Sequence, residues 1–157
     1  MSTQAFFHSL QNGALGISIG KLDPLFGALA QLFHIAGFLL ILTAILIVNL
    51  RLFGVGLRNQ SVPQLVKATN PLILYGLGFL AISGLFILLP SADIYYPNPA
   101  FWAKALLLSL ALIVQFTLYR KVTASESPNR TLASTTAVLS LTLWFGVAFA
   151  GRAIGFV

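Results

Sequence analysis

Four long runs of apolar residues dominate the sequence, and short polar stretches separate them. The runs cover about residues 25–50, 71–89, 99–119 and 132–150. A bilayer core roughly 30 Å thick is crossed by about 20 helical residues, so each run has the length of a transmembrane helix. Pro24, Pro71 and Pro99 suit the first turn of a helix, where a missing N–H costs no hydrogen bond. The pattern predicts an all-α, integral membrane four-helix bundle that forms a single domain over residues 1–157.

Two shorter segments are predicted to form helices at the membrane surface. Residues 2–10 place Phe6, Phe7 and Leu10 where an interfacial helix would turn them to lipid, and a Ser or Thr is available as a cap. The glycines that follow are expected to break regular structure. Residues 61–69 begin with helix-starting residues and predict a short surface helix on the cytoplasmic side.

The basic residues are concentrated in two of the loops between the apolar runs. Six of the nine lysines and arginines lie there, namely Arg51, Arg58, Lys67, Arg120, Lys121 and Arg130, with Glu126 as the acid among them. The positive-inside rule places such loops in the cytoplasm. We therefore expect a multi-pass protein of the bacterial inner membrane with both termini in the periplasm. Four aromatic residues agree with an outer boundary at that end, since they follow Asp93 closely: Tyr95, Tyr96, Phe101 and Trp102.

Composition excludes several classes of protein. Apolar residues make up 58% of the chain and charged residues 8%, whereas soluble domains carry about 25% charged residues. The net charge of +6 comes from scattered cations rather than one basic face, so nucleic-acid binding is not expected. Cysteine is absent, which excludes thiolate metal sites and leaves histidine as the strong nitrogen ligand. The expected partners are lipid and other membrane subunits, or further copies of this chain.

Ionisable side chains inside the predicted spans are the first candidates for function, because burying them without partners is costly. At 1.5 Å per residue, His34 lies about 25 Å from the basic end of its helix and Lys104 about 24 Å from the basic end of its own. Arg152 lies roughly 30 Å along the fourth helix. The shared level predicts that the three side chains line one pocket in the outer leaflet.

The residue types in this pocket suit a b-type haem. His34 offers an imidazole to the iron, Gly37 one turn further leaves room for a flat macrocycle, and Lys104 and Arg152 offer cations to the propionates. Haems of this type usually have two histidine ligands, and the second histidine of the chain is His8, in the predicted interfacial helix. The same groups also suit a metal ion held by His34, a quinone headgroup or an anionic lipid.

Each of these residues also has a structural interpretation. A lone membrane histidine commonly packs against a carbonyl or a serine, and Lys104 and Arg152 have stems long enough to reach the headgroups. The sequence contains no paired intramembrane carboxylates, no spacing typical of catalytic zinc and no phosphate-binding glycine loop. We therefore do not expect the chain to be an enzyme by itself.

Four segments carry a resemblance to a known family. The runs HIAGF (34–38), NLRLFG (49–54), NPAFWAKALLL (98–108) and LWFGVAFAGRAIGFV (143–157) resemble a family of small, uncharacterised four-helix bacterial membrane proteins. That family is distantly similar to the membrane part of copper-resistance D proteins and to cytochrome b561-like bundles. The resemblance implies recurring motif positions at His34, Gly37, Arg51, Lys104, Gly151 and Arg152. The family pattern has an aspartate where this chain has Asn49.

Three functional hypotheses follow from the sequence. The leading one is a membrane protein whose outer-leaflet pocket binds haem b or a related redox cofactor for electron transfer within a larger complex. The second is an accessory or scaffold subunit without a cofactor, in which His34 is a packing residue. The third is an accessory protein for the transport of copper or another metal.

Overall fold

The computed structural model describes residues 2–57, 59–125 and 129–157, and within these ranges it is helical with no strand. Arg58 and Glu126 of the two basic loops therefore lie outside the described residues. The α-helices are α1 (Thr3–Gln11), α2 (Ala14–Gly20), α3 (Pro24–Leu52), α4 (Val62–Leu88), α5 (Ala92–Tyr95), α6 (Pro99–Val114), α7 (Arg120–Thr123) and α8 (Arg130–Ala153). A 3₁₀ turn at Leu89–Ser91 joins α4 to α5, and a π-helical segment at Gln115–Tyr119 joins α6 to α7.

Four continuous helical segments are long and apolar enough to cross a membrane. They are Pro24–Leu52, Val62–Tyr95, Pro99–Thr123 and Arg130–Ala153. Between 11% and 33% of the most apolar stretch of each segment is buried inside the protein, so most of its apolar surface faces outward. Outward-facing apolar surface is what a lipid solvent requires. The prediction of an all-helical, four-helix membrane bundle is confirmed.

The helices pack as two pairs. Helix α3 packs along α4, and α6 packs along α8, while α3 also contacts α8 and so joins the pairs. The backbones of α3 and α4 approach each other closely at Gly37 and Gly76. A Cβ atom on Gly37 would lie 2.7 Å from the Cβ of Phe79 and 2.8 Å from the Gly76 carbonyl oxygen. Only hydrogen in place of a side chain allows this approach of the two backbones.

Two apolar clusters fill the interior. The terminal cluster consists of Ile41, Ile45, Ala111, Leu143, Trp144 and Val147. The loop cluster consists of Val48, Leu52, Val62, Leu65, Tyr119, Val122, Ala133 and Ala137. Each cluster takes residues from at least three spans, so the four long helices share one core.

The second span departs from the prediction. Ser61 and Gln64 form a capping box at its start, and α4 then continues without a break through Pro71. The expected surface helix at residues 61–69 is therefore the beginning of the span, and the prediction that Pro71 lies in a first turn was wrong. The reason is tertiary packing, since Val62 and Leu65 are buried in the loop cluster and hold the first turns in place. Packing of this kind compensates for the backbone bond that an interior proline removes.

The N-terminal segment forms two helices rather than one. Helix α1 is capped by Ser2 as predicted, but Phe7 does not face lipid. Its ring lies 5.5–5.9 Å from the rings of Tyr96, Phe101 and Trp102 and is 7% exposed. Of the glycines that follow, Gly13 lies in the turn between α1 and α2 and interrupts the helix as predicted, whereas Gly16 and Gly20 lie within α2. A Cβ on Gly16 would clash with the carbonyl oxygens of Leu10 and Gln11, so the turn requires glycine there.

Both ends of the chain meet at one end of the bundle, here called the terminal end. The Gln11 side chain accepts a hydrogen bond from the Asp93 backbone N–H. Asn98 Nδ2 donates to the carbonyl oxygens of Ile154 and Val157. At the opposite end, here called the loop end, Arg51 Nε donates to the Gln60 carbonyl oxygen and fastens the first basic loop. Both termini therefore lie at the terminal end of the bundle.

Candidate functional site

His34 and Lys104 meet at the terminal end of the bundle, as their shared depth predicts. The Nε2 atom of His34 on α3 lies 3.3 Å from the Nζ atom of Lys104 on α6. The other ring nitrogen, Nδ1, lies 3.0 Å from the hydroxyl oxygen of Ser83 on α4. The three side chains form a polar row that crosses the bundle from α6 through α3 to α4. We call it the Lys–His–Ser row.

The hydrogen bonds in this row have a defined direction. The Ser83 hydroxyl donates a short hydrogen bond to the carbonyl oxygen of Phe79 in its own helix. Its oxygen then accepts from Nδ1–H of His34, which leaves Nε2 as the acceptor of the imidazole. Lys104, which has donors and no acceptor, donates to that nitrogen. The row is therefore a chain of donors that starts at a cation and ends at Ser83.

Two glycines make room for the row. A Cβ on Gly84 of α4 would lie 3.4 Å from His34 Cε1, and a Cβ on Gly151 of α8 would lie 3.4 Å from Lys104 Cε. Larger side chains at these positions would press on the imidazole and on the lysine stem. Gly151 thus lets the lysine lie against α8, and all four long helices contribute to the site.

A groove between α3 and α4 ends at this row. It has a volume of about 390 Å³ and is lined by Phe26, Leu29, Ala30, Phe33, Phe79, Ile82, Ser83 and Phe86. Ser83 is the one polar side chain in this set, and Ala30 and Ser83 are buried at its floor. The rings of Phe33 and Phe79 stack with their centroids 5.7 Å apart. The groove therefore offers an apolar, aromatic slot on the outer surface of the bundle with a single hydroxyl at its base.

Charge is sparse around Lys104. The chain has three acidic residues, Asp23, Asp93 and Glu126, of which Glu126 lies outside the described residues. Asp23 caps α3 by accepting from the Leu25 N–H, and Asp93 pairs with His8 at 3.0 Å. Within the described ranges, no aspartate lies within salt-bridge distance of Lys104. Its remaining N–H groups are available to an acceptor.

The other predicted site residues lie elsewhere. Arg152 is exposed, and its guanidinium lies 4.6 Å from the centre of the Phe156 ring rather than beside His34. His8 is on α1, and its side-chain partners are Asp93 and Asn12. Gly37 faces the backbone of α4. The expectation that all of these residues line one pocket with His34 was wrong.

These positions do not fit a b-type haem. The space beside Gly37 that the macrocycle would need is filled by α4. Both nitrogens of His34 have side-chain partners. The expected cations for the propionates are also separated, because Arg152 stacks on Phe156.

Sequence reasoning missed Ser83. The signal was a serine directly before a glycine in an otherwise apolar run, at SGLF (83–86). A hydroxyl in an apolar helix commonly bonds its own backbone, so the pattern alone does not indicate that His34 lies beside it.

Comparison with known proteins gives a family for the chain. Residues 6–157 match the family described as "Family of unknown function (DUF6644)". The chain belongs to this family. No curated protein and no solved structure matches the chain. The DUF6644 match agrees with the resemblance to a family of small membrane proteins, and it provides no support for a likeness to copper-resistance D proteins or cytochrome b561-like bundles.

Proposed function

We propose that this protein of the bacterial inner membrane binds a lipid-soluble quinone in the groove between α3 and α4, as one component of a larger electron-transfer complex. One observation carries the proposal. The Lys–His–Ser row is a directed chain of donors that begins at the Lys104 cation and ends at the floor of an apolar groove.

The chemistry of a quinone matches this groove. Its head is a flat apolar ring with carbonyl acceptors, and its isoprenoid tail is fully apolar. The phenyl rings of the groove provide faces and edges for stacking. The Ser83 hydroxyl can rotate from the Phe79 carbonyl to a ligand carbonyl, and the donors behind it polarise it into a stronger donor.

The same row provides groups that exchange protons. Reduction of a quinone to a quinol takes up two electrons and two protons. Lys104 and His34 are both bases that bind protons reversibly, and they are hydrogen-bonded in the direction of the groove. The electrons come from a redox partner in the proposed complex. This chain contributes two things to the reaction: it binds the quinone head, and it delivers protons to a carbonyl oxygen of that head.

The basic loops support an orientation for the site. The loop end carries Arg51, Lys67, Arg120, Lys121 and Arg130. By the positive-inside rule this end faces the cytoplasm, so the row and both termini belong to the periplasmic half of the membrane. Alkaline phosphatase, which is active only in the periplasm, is expected to be active when fused after Val157 and inactive when fused after Ser125, in the loop that follows α7.

A second candidate function rests on the position of His34 between the helix pairs. Its contacts join α3 and α4 to Lys104 of the α6–α8 pair. A scaffold subunit without a cofactor needs such a link only for its own packing. In that case the Lys–His–Ser row stabilises the bundle and the groove holds ordinary lipid.

Removing the Ser83 hydroxyl separates these functions. Protein purified from its native membrane in a mild detergent is expected to contain bound quinone, and Ser83→Ala is expected to raise the Kd for quinone about ten-fold, as the loss of one hydrogen bond of about 1.4 kcal/mol predicts. With free quinone held well below the Kd of the native protein, the variant is therefore expected to bind about one-tenth as much quinone. The measurement is solvent extraction followed by chromatography and mass spectrometry, which also identifies phospholipids.

Ser109→Ala is the matched control. Ser109 likewise donates to a carbonyl one turn back in its helix, but it lies exposed on α6. We expect this variant to retain its quinone. Protein that holds only phospholipid, or equal quinone in both variants, would contradict the proposal and favour the scaffold function. A Soret band that disappears in His34→Ala would favour haem instead.

A further inference from the structure

The lysine of the Lys–His–Ser row lies close to the surface at the terminal end. Lys104 is five residues, or about 8 Å, along α6 from Pro99. A Cβ on Gly151 would lie 3.4 Å from Lys104 Cε and 3.5 Å from Nζ, so the ammonium group lies against the last turn of α8. Helix α8 ends at Ala153, which is two residues, or about 3 Å, further toward the terminal end. The cation of the row is therefore within two helical turns of the end of the bundle.

The last turn of α8 also stabilises this cation in the absence of a nearby aspartate. The final carbonyl groups of a helix carry a partial negative charge, which favours a cation beside them. The Lys104 ammonium group occupies such a position next to Gly151. From this position the hydrogen bonds of the row lead through His34 to Ser83 at the floor of the groove. One end of the row thus lies near the surface, and the other end lies at the proposed binding site.

Apolar side chains close the opposite side of the row, toward the loop end. Ile41 lies seven residues after His34, and Ala111 lies seven residues after Lys104. This spacing places each of them on the same helix face as the residue of the row, two turns nearer the loop end. Both belong to the terminal cluster and are at most 1% exposed. Leu108, one turn from Lys104, packs against the same cluster.

No ionisable side chain continues the row through the core toward the loop end. Beyond the row, the next ionisable residue of α3 is Arg51, about 25 Å away, and that of the third span is Tyr119, about 22 Å away. Residues 131–151 of α8 contain none, and Tyr75 of α4 is 68% exposed on the outer surface. A proton among apolar side chains is a buried charge, which is costly. The core therefore opposes proton transfer in this direction.

We infer that the Lys–His–Ser row exchanges protons with the aqueous compartment at the terminal end and is closed to the compartment at the loop end. This exchange rests on the proposed quinone function. A quinone reduced in the groove takes two electrons from the electron-transfer partner and two protons that enter at Lys104. A quinol oxidised there gives two electrons to that partner and releases two protons at the terminal end. In the orientation that the basic loops support, oxidation of quinol adds protons to the periplasm.

The native lysines test this sidedness without any substitution. Lys21 is exposed at the terminal end, next to Gly20, which packs near Pro90, and Lys67 and Lys121 are exposed at the loop end. Spheroplasts and inverted membrane vesicles present opposite ends of the protein to a membrane-impermeant amine reagent, and mass spectrometry identifies the modified lysines.

We expect Lys104 to be modified in the preparation in which Lys21 is modified, and not in the preparation in which Lys67 and Lys121 are modified. Modification of Lys104 together with the lysines of the loop end would overturn the inference. Absence of modification from both sides would overturn it as well, because the lysine would then have no contact with water.

Single thiols provide a second test, because the chain contains no cysteine. An impermeant methanethiosulfonate reagent reacts with the thiolate and so reports contact with water. Ser9→Cys marks the terminal end and Ser125→Cys the loop end, since both residues are exposed there. We expect Lys104→Cys to react from the side on which Ser9→Cys reacts, and not from the side of Ser125→Cys.

Ala111→Cys is the matched control on the same face of the third span. Ala111 is buried in the terminal cluster, so we expect this thiol to react from neither side. Its reaction from the loop end would show that water crosses the terminal cluster, and this result would overturn the inference.

Neither labelling measurement requires quinone, so failure of the sidedness and failure of the quinone site are distinguishable. Labelling of Lys104 from the loop end, in a protein that binds quinone through Ser83, would overturn the sidedness and leave the quinone site in place. Labelling from the terminal end in a protein that binds no quinone would overturn the proposed function, and the proton exchange with it.

Discussion

Gly37→Val is expected to lower the free energy of unfolding in detergent by about 3 kcal/mol, the upper range for overpacking a tight interface. The added Cβ would lie 2.7 Å from the Cβ of Phe79 and 2.8 Å from the Gly76 carbonyl oxygen, so α3 and α4 have to separate. Separation of these helices disturbs the most extensive helix–helix contact of the bundle and the groove between the same two helices. Titration with a denaturing detergent, followed by circular dichroism, measures the change.

Gly27→Val is the control for this effect. Gly27 lies in the same helix, and a Cβ there would meet nothing within 4 Å. Both substitutions replace glycine by the same β-branched residue, so the intrinsic helix propensity changes equally. We expect Gly27→Val to be at least as stable as the native protein. Equal destabilisation by the two variants would show that the α3–α4 crossing does not depend on Gly37.

Asn98→Ala is expected to destabilise the protein by about 3 kcal/mol, the sum of a lost helix cap and of two side-chain hydrogen bonds. The Asn98 Oδ1 accepts from the N–H groups of Ala100 and Phe101 at the start of α6. Its Nδ2 donates to the carbonyl oxygens of Ile154 and Val157. One buried side chain therefore starts the third span and fastens the end of the fourth.

Asn98→Asp separates the two roles. Aspartate retains the acceptor for the helix cap and lacks the amide donors. We expect this variant to keep α6 intact while the amides of residues 154–157 exchange hydrogen faster than in the native protein. Amide exchange followed by mass spectrometry measures both effects. Unchanged exchange at the C-terminus in both variants would contradict the role assigned to Nδ2.

The long helices and the meeting of two ionisable residues could be predicted from the sequence because both depend on distances along a helix. Spans follow from the length of the apolar runs, and the shared level of His34 and Lys104 follows from the rise per residue. Depth alone also placed Arg152 near them, but depth does not determine direction around a helix. Arg152 turns instead to Phe156, one turn further in its own chain.

The other wrong predictions concern the neighbour of a residue rather than its depth in the membrane. A glycine such as Gly37 indicates that something approaches closely, and the approaching group is α4 rather than a macrocycle. Phe7 was expected to face lipid because amphipathic spacing does not distinguish a lipid surface from an aromatic protein surface. Pro71 was expected to begin a helix because the buried contacts of Val62 and Leu65, which extend α4, are not visible in the local sequence.

The central claim is that a chain of donors from Lys104 delivers a hydrogen bond to a ligand carbonyl through Ser83. Infrared spectroscopy of a ¹³C-carbonyl-labelled quinone bound to the purified protein tests it most directly. We expect one carbonyl band to lie at lower frequency than in detergent alone, and to move back toward that frequency in Lys104→Met while the quinone remains bound. A bound quinone whose carbonyl bands coincide with those of the free molecule, or do not respond to Lys104→Met, would contradict the account.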